Sequence, residues 1–211
     1  MMTSIRYVNF FPGTTLAQLS SKRNILLLLT LFCGLWFVGN SAYIHAKATL
    51  AQLLLETAWT NTLHGEKEVK PWPWADTWPV ARLSAPRLGI NHIVLAGASG
   101  ATLAFGPGHL FNSSQPGAYG NVVISGHRDT HFAFLEELRD GDRLLLETRG
   151  QQRRHYTVRQ RLVVNKDTHP FIPATNNDQL MLITCYPFNA VRAGGPLRYV
   201  VVAEAEPVVM T

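Results

Sequence analysis

Two side chains in this 211-residue sequence combine the types and positions that acyl-transfer chemistry needs. Cys185 closes the apolar run LMLITC and is followed by Tyr186-Pro187, which breaks the chain. A lone cysteine in an apolar run is most often a small buried hydrophobe. A strand end, though, is where a rigid element delivers a reactive group to solvent. His127 ends a second apolar run, NVVISG, whose Gly126 allows close approach of other groups. A thiol attacks as thiolate and a departing amine needs a proton, so imidazole near neutral pH can serve both steps. The tetrahedral intermediate also needs a positive charge or N–H donors near its oxyanion. Arg198, among apolar neighbours in the last strand, is one candidate, and Arg192, in the loop 189–195, is the other. Arg128 and Asp129 follow the histidine and could orient it; the reading preferred here is a local ion pair that shapes the loop.

The remaining chemistry is excluded by spacing. His131, His155 and His169 have no zinc-like partner spacing, so no metal site is expected, and neither G-x-S-x-G nor a P-loop occurs. No cofactor is expected. The other cysteine, Cys33, lies in an apolar N-terminal run, which leaves Cys185 a free thiol.

The elements that must position these residues read mostly as strands. Segments 80–88, 91–95, 121–125, 143–148, 153–164, 180–184 and 197–204 have strand patterns, with short helical stretches at 102–105 and 132–138. Frequent Gly, Pro, Asn and Asp punctuation suggests an all-β sandwich or barrel. The stretch from Ala81 onward is about 130 residues, enough for one compact domain. It carries 13 Lys/Arg against 10 Asp/Glu, too mild an excess to argue for nucleic acid. Arg149, Arg153, Arg154, Arg159 and Arg161 crowd one hairpin and are read as a solvated face that discourages edge pairing.

The N-terminal part is different. No Lys, Arg, Asp or Glu occurs between Arg23 and Lys47, and the apolar core at 25–38 extends to Ile44, long enough to cross a bilayer. Arg6, Lys22 and Arg23 precede it, so the N-terminus is expected in the cytoplasm and the domain beyond the membrane. A cleaved signal ending near Ala46-Lys47-Ala48 is the rival reading, and it places the domain on the same side. Residues 61–79, with PWPWADTWP, cannot form a regular helix. All five tryptophans precede residue 80 and are read either as an interfacial belt or as rings packed on the domain, the second being preferred. The expected organisation is a cytoplasmic segment at 1–23, a transmembrane anchor at 24–44, a juxtamembrane helix and Pro/Trp linker at 45–79, and a catalytic domain at 80–211. A chain beginning near Asn61 is expected to fold.

The motifs ISGHRDTHF around His127 and LITCYPF around Cys185, with Arg198 thirteen residues after the cysteine, resemble those of the sortase family. LITC matches that family's TLXTC-type strand end. The GHRDTHF form and the AVRAGGPLRYVVVAE tail look most like the class GN sortases of Gram-negative proteobacteria. The resemblance covers roughly residues 80–204. It implies a mainly β fold, the sortase eight-stranded β-barrel with short helices, here preceded by one transmembrane helix. It implies that Cys185 attacks a backbone carbonyl in a C-terminal LPXTG-like sorting signal of a protein substrate. His127 would protonate the departing amine, Arg198 would hold the oxyanion, and an amine acceptor would take the thioester. Thr184 matches the family's threonine that lines the peptide groove. The implied location is the inner (cytoplasmic) membrane, single-pass, with a periplasmic domain. Two other cysteine enzymes fit less well. An L,D-transpeptidase carries its cysteine in a Gly-Cys-x-Arg context, and a papain-like enzyme starts a helix at it. A catalytically inactive, membrane-tethered binding module is the alternative from another class.

Overall fold

The computed structural model describes residues 16–168, 177–191 and 194–207. It divides into two compact units, 1–47 and 48–211. The helix α1, Leu16–Leu63, contributes to both. Between Ile25 and Ile44 its side chains are mostly apolar and exposed; α1 is long and apolar enough to cross a membrane, which fits a single-pass anchor.

The second unit is a closed eight-stranded barrel. Its strands are β1 Pro79–Ala85, β2 Ile90–Ala96, β3 Gly108–His109, β4 Asn121–Ser125, β5 Arg143–Thr148, β6 Arg153–Asn165, β7 Gln179–Cys185 and β8 Leu197–Ala205. Around the barrel they run β1-β2-β3-β4-β7-β8-β6-β5 and return to β1. All pairings are antiparallel except β2/β3 and β4/β7. Closure leaves no sheet edge to template association. β3 is only two residues long and is not among the strand segments read from the sequence. A Cβ on Gly108 would lie 2.1 Å from the Gly97 carbonyl oxygen, so only glycine lets the chain approach β2 there.

The period-2 pattern of the strands fills the barrel. β7 alternates half-buried and buried residues, placing Leu180, Leu182 and Thr184 inside. Facing them are Val122 and Ile124 of β4, Leu144 and Leu146 of β5, Tyr156 and Val158 of β6, and Val201 and Ala203 of β8. Each fully buried leucine contributes about 1.5–3 kcal/mol. A 3-10 turn, Ala133–Glu137, drops Phe134 and Leu135 into this core, beside Phe132.

On the outside of the barrel, Leu55, Ala58, Trp59 and Thr62 of α1 repeat on one helical face. Leu55 and Trp59 pack on Ile93, Leu95 and Phe105. Arg82 stacks over the Trp59 ring at 5.7 Å and pairs with Glu56. The compact unit takes in the chain from Ala48, because the end of α1 covers an apolar strip on β2. The linker is likewise laid on the barrel. Thr77 donates to the Ala96 carbonyl, and Trp72 meets Phe105 edge-on at 4.8 Å. Trp74 is the exposed ring of this stretch, at 83%. The hairpin arginines are mostly neutralised: Arg153 pairs with Glu147, Arg159 with Glu204, Arg161 with Asp140, and Arg154 with Asp178.

Candidate active site

β7 lies between β4 and β8, and each neighbour supplies one partner for its last residue. On the β8 side, Cys185 is directly opposite Arg198. The next pair along bonds through Tyr186 N–H to the Leu197 carbonyl at 3.1 Å. Antiparallel pairs alternate, so Cys185 and Arg198 form a non-hydrogen-bonded pair, the closer kind, with both side chains on the same face. Arg198 Nη1 donates to the Gly195 and Leu197 carbonyls at 2.7 and 2.8 Å. Among the described residues nothing else engages Nε or Nη2, which leaves donors for an incoming oxygen.

On the β4 side the strands run parallel, with Ser125 level with Ile183. The Gly126 N–H continues the ladder to the Ile183 carbonyl at 3.1 Å, and the Thr184 hydroxyl donates to the Gly126 carbonyl at 2.7 Å. One residue past the histidine, Arg128 reaches the turn after the cysteine: Nη1 donates to the Pro187 carbonyl at 2.7 Å and Nη2 to that of Ala190 at 2.6 Å. His127 is thus bracketed by residues bonded on either side of Cys185. Gly126 and Arg128 are buried and His127 is exposed. The turn is braced by Tyr186 stacked on Tyr199 and by Phe188 edge-on to Tyr199 at 5.2 Å.

Gly126 has a steric reason. A Cβ there would meet the Phe132 ring at 2.7 Å. Phe132 is fully buried, and its N–H donates to the His127 carbonyl at 2.9 Å, closing the loop onto itself.

Thr184 differs from the groove-lining position expected for it. It is 2% exposed, faces the barrel interior, and ties the ends of β4 and β7 together. On the other face of β7, Met181 and Ile183 are half-buried and lie opposite Val202 and Val200 of β8, which are buried. An enclosed space of about 340 Å³ lies elsewhere, among Trp78, His109, Phe111, Gln115 and Arg149, and includes none of these residues.

A second imidazole pair lies next to the site. His92, passed over in the sequence reading, meets His131 edge-on at 5.4 Å. Burial, then the neighbouring His131, pushes His92 down to about 4. Burial also lowers His131, with the charge of His127 adding to it. Among the described residues no His/Cys/Asp/Glu group is arranged to hold a metal ion. Arg192 and His169 lie outside the described residues. The Arg128 fork was legible only in part: its place two residues beyond Gly126 implied an inward side chain, but nothing in the sequence named the carbonyls it would meet.

A family model described as the sortase domain matches residues 83–206. Sortase D of Bacillus subtilis (strain 168) is 33% identical over 119 residues, 56% of this chain and 60% of that protein, so the match spans three-fifths of the relative's length. Among solved structures, sortase A from Corynebacterium diphtheriae superposes with a TM-score of 0.56 at 26% identity, covering 75% of this chain and 85% of that one. Sortase C-1 from Actinomyces oris gives 0.54 at 30% identity, covering 62% and 74%.

Proposed function

The chain belongs to the sortase family, and from that membership we propose that it is a membrane-anchored cysteine transpeptidase using Cys185, His127 and Arg198. The observation that carries this reading is the end of β7, where Cys185 is paired across the strands with Arg198 and the residues flanking His127 bond to either side of the cysteine, Gly126 with Thr184 and Arg128 with Pro187. The sulfur attacks the scissile carbonyl carbon, and the carbonyl electrons move onto oxygen, where Arg198 donates N–H bonds. As the oxyanion collapses, the C–N bond breaks and His127 gives its proton to the departing amine. An acceptor amine then attacks the thioester, His127 takes its proton, and the sulfur leaves.

The substrate in this proposal is a protein with a C-terminal LPXTG-like sorting signal. The residues near Arg23 keep the N-terminus in the cytoplasm, and the barrel faces the periplasm of the inner membrane. Assignment to the Gram-negative class rests on GHRDTHF and on the tail after Cys185. The check on that assignment is the set of neighbouring genes, where a secreted protein with such a signal, an apolar span and a basic tail is the expected finding.

The bench test is mass spectrometry of full-length protein incubated with LPXTG-like peptides. A thioester adduct on Cys185 is the expected result. Cys185→Ala abolishes it. Arg198→Ala slows turnover by about 10²–10³-fold, the usual cost of removing an oxyanion donor. If Arg198→Ala is near wild type while Arg192→Ala is inactive, the arginine assignment is wrong. A thiol that resists methanethiosulfonate, with full function in His127→Ala, is the outcome for an inactive binding module.

A further inference from the structure

Arg128 has no part in the bond-making steps above, yet it is one of the more costly side chains in the barrel. Its side chain is 6% exposed. A guanidinium removed from water is expensive unless its donors are used. Here they are used on two backbone carbonyls and one carboxylate, and where those lie shows what the side chain holds.

The side chain starts one residue after His127 and ends on the turn that starts two residues after Cys185. Nη1 donates to Pro187 and Nη2 to Ala190, both at charge-assisted lengths, while Nε donates to Asp129 Oδ1 at 3.1 Å. Asp129 is exposed, so the ion pair aims the fork rather than anchoring it. The two carbonyls belong to one turn, in which Ala190 N–H donates to the Pro187 carbonyl. A planar fork with two N–H directions can hold both at once; an ammonium, a point donor, cannot match that spacing. Without the fork, the β4 end is tied to β7 only before the cysteine, through Gly126 to Ile183 and Thr184. His127 would then lie beyond the last tie and move with its loop.

We infer that Arg128 is a positioning residue, whose fork onto Pro187 and Ala190 fixes the His127 imidazole beside the Cys185 thiol. The inference rests on the transpeptidase reading for its purpose. Its structural content, that Arg128 sets the separation of positions 127 and 185, is measured without turnover.

The test uses the full chain in detergent, carrying Cys33→Ser to remove the other thiol and His127→Cys as reporter. A one-carbon bis-methanethiosulfonate links the introduced thiol to Cys185, and the rate is read by mass spectrometry with and without Arg128→Met or Arg128→Lys. Both substitutions slow linking by about tenfold, the factor for ~1.4 kcal/mol and within the range for losing a charged hydrogen bond. Arg128→Met still folds and melts about 2–10 °C lower, because the Ala190 carbonyl loses its donor. In the same variants with His127 restored, kcat falls and KM for an LPXTG-like peptide holds. Linking that proceeds at the same rate in both variants overturns the inference and leaves the transpeptidase reading intact. Failure of both variants to fold also overturns it, because Arg128 would then hold the fold rather than the site. Absence of linking with Arg128 in place sinks the transpeptidase reading itself.

Discussion

Adding one methyl group at Gly126 tests how tightly the site is built into the core. An alanine Cβ there would lie 2.7, 2.9 and 3.0 Å from Cγ, Cδ2 and Cδ1 of Phe132. Carbon contacts are normally 3.5–4.0 Å, so the ring or the backbone must give by roughly 1 Å. The ring has little room: Phe132 is fully buried, edge-on to Phe134 at 5.8 Å, and bonded through its N–H to His127. Overpacking of this kind costs about 1–3 kcal/mol. For a unit of this size, ~2 kcal/mol lowers the melting temperature by about 4–8 °C. The backbone at 126 is the easier part to move, and it carries His127. A displacement near 1 Å at the imidazole slows turnover by up to about 10²-fold. The assay is thermal melting and peptide cleavage for Gly126→Ala, Phe132→Leu and the double variant. Trimming the ring relieves the contact, so the pair couples by at least ~1 kcal/mol in the double-mutant cycle. Wild-type melting and turnover in Gly126→Ala, or no coupling, would refute the steric account.

Other outcomes follow from the packing and the buried groups. His92 is held neutral in the folded barrel, down to about 4, while the unfolded chain takes up a proton below its ordinary value near 6.5. Its contribution is therefore present above that value and lost as pH falls toward 4; the full shift is ~3 kcal/mol, discounted for partial exposure to ~1–2 kcal/mol. Melting at pH 7.5 and 5 reads the loss, and His92→Gln flattens it. Thr184→Val leaves the Gly126 carbonyl without its hydroxyl partner and costs ~1–3 kcal/mol in denaturant unfolding. Trp59→Ala empties the contact between α1 and β2 and costs ~3–5 kcal/mol by the same measurement. A chain starting at Ala48 keeps that contact and melts as the full chain's barrel does. One starting near Asn61 lacks Leu55 and Trp59 and melts lower.

Much of this was legible because it depends on local pattern. The continuous apolar runs LMLITC and NVVIS, closed by Pro187 and Gly126, marked both strands and their ends, at or just beyond which Cys185 and His127 lie. What escaped was decided by distant chain. β3 has only two residues, and its pairing depends on Gly108 meeting Gly97, which no periodicity reports. The end of α1 looked like a stalk because its apolar residues continue the membrane run; that Leu55 and Trp59 cover β2 depends on a strip of Ile93 and Leu95 far along the chain. Thr184 was assigned by likeness to the outer groove, whereas the alternation of β7 already turned it inward. The Arg128 bonds end on backbone carbonyls, which carry no residue-type signal at all.

The mixed pairing of β7 has an evolutionary consequence. A parallel neighbour on one flank and an antiparallel one on the other make the chain enter and leave the chemistry at a single rim. Connecting segments there can lengthen, shorten or change sequence while the ladders keep the reacting atoms aligned. Lineages built on this barrel can thus alter which polypeptide they recognise through insertions and deletions alone. A one-residue slip between β7 and β8 has no such latitude, because it would turn the nucleophile into the interior.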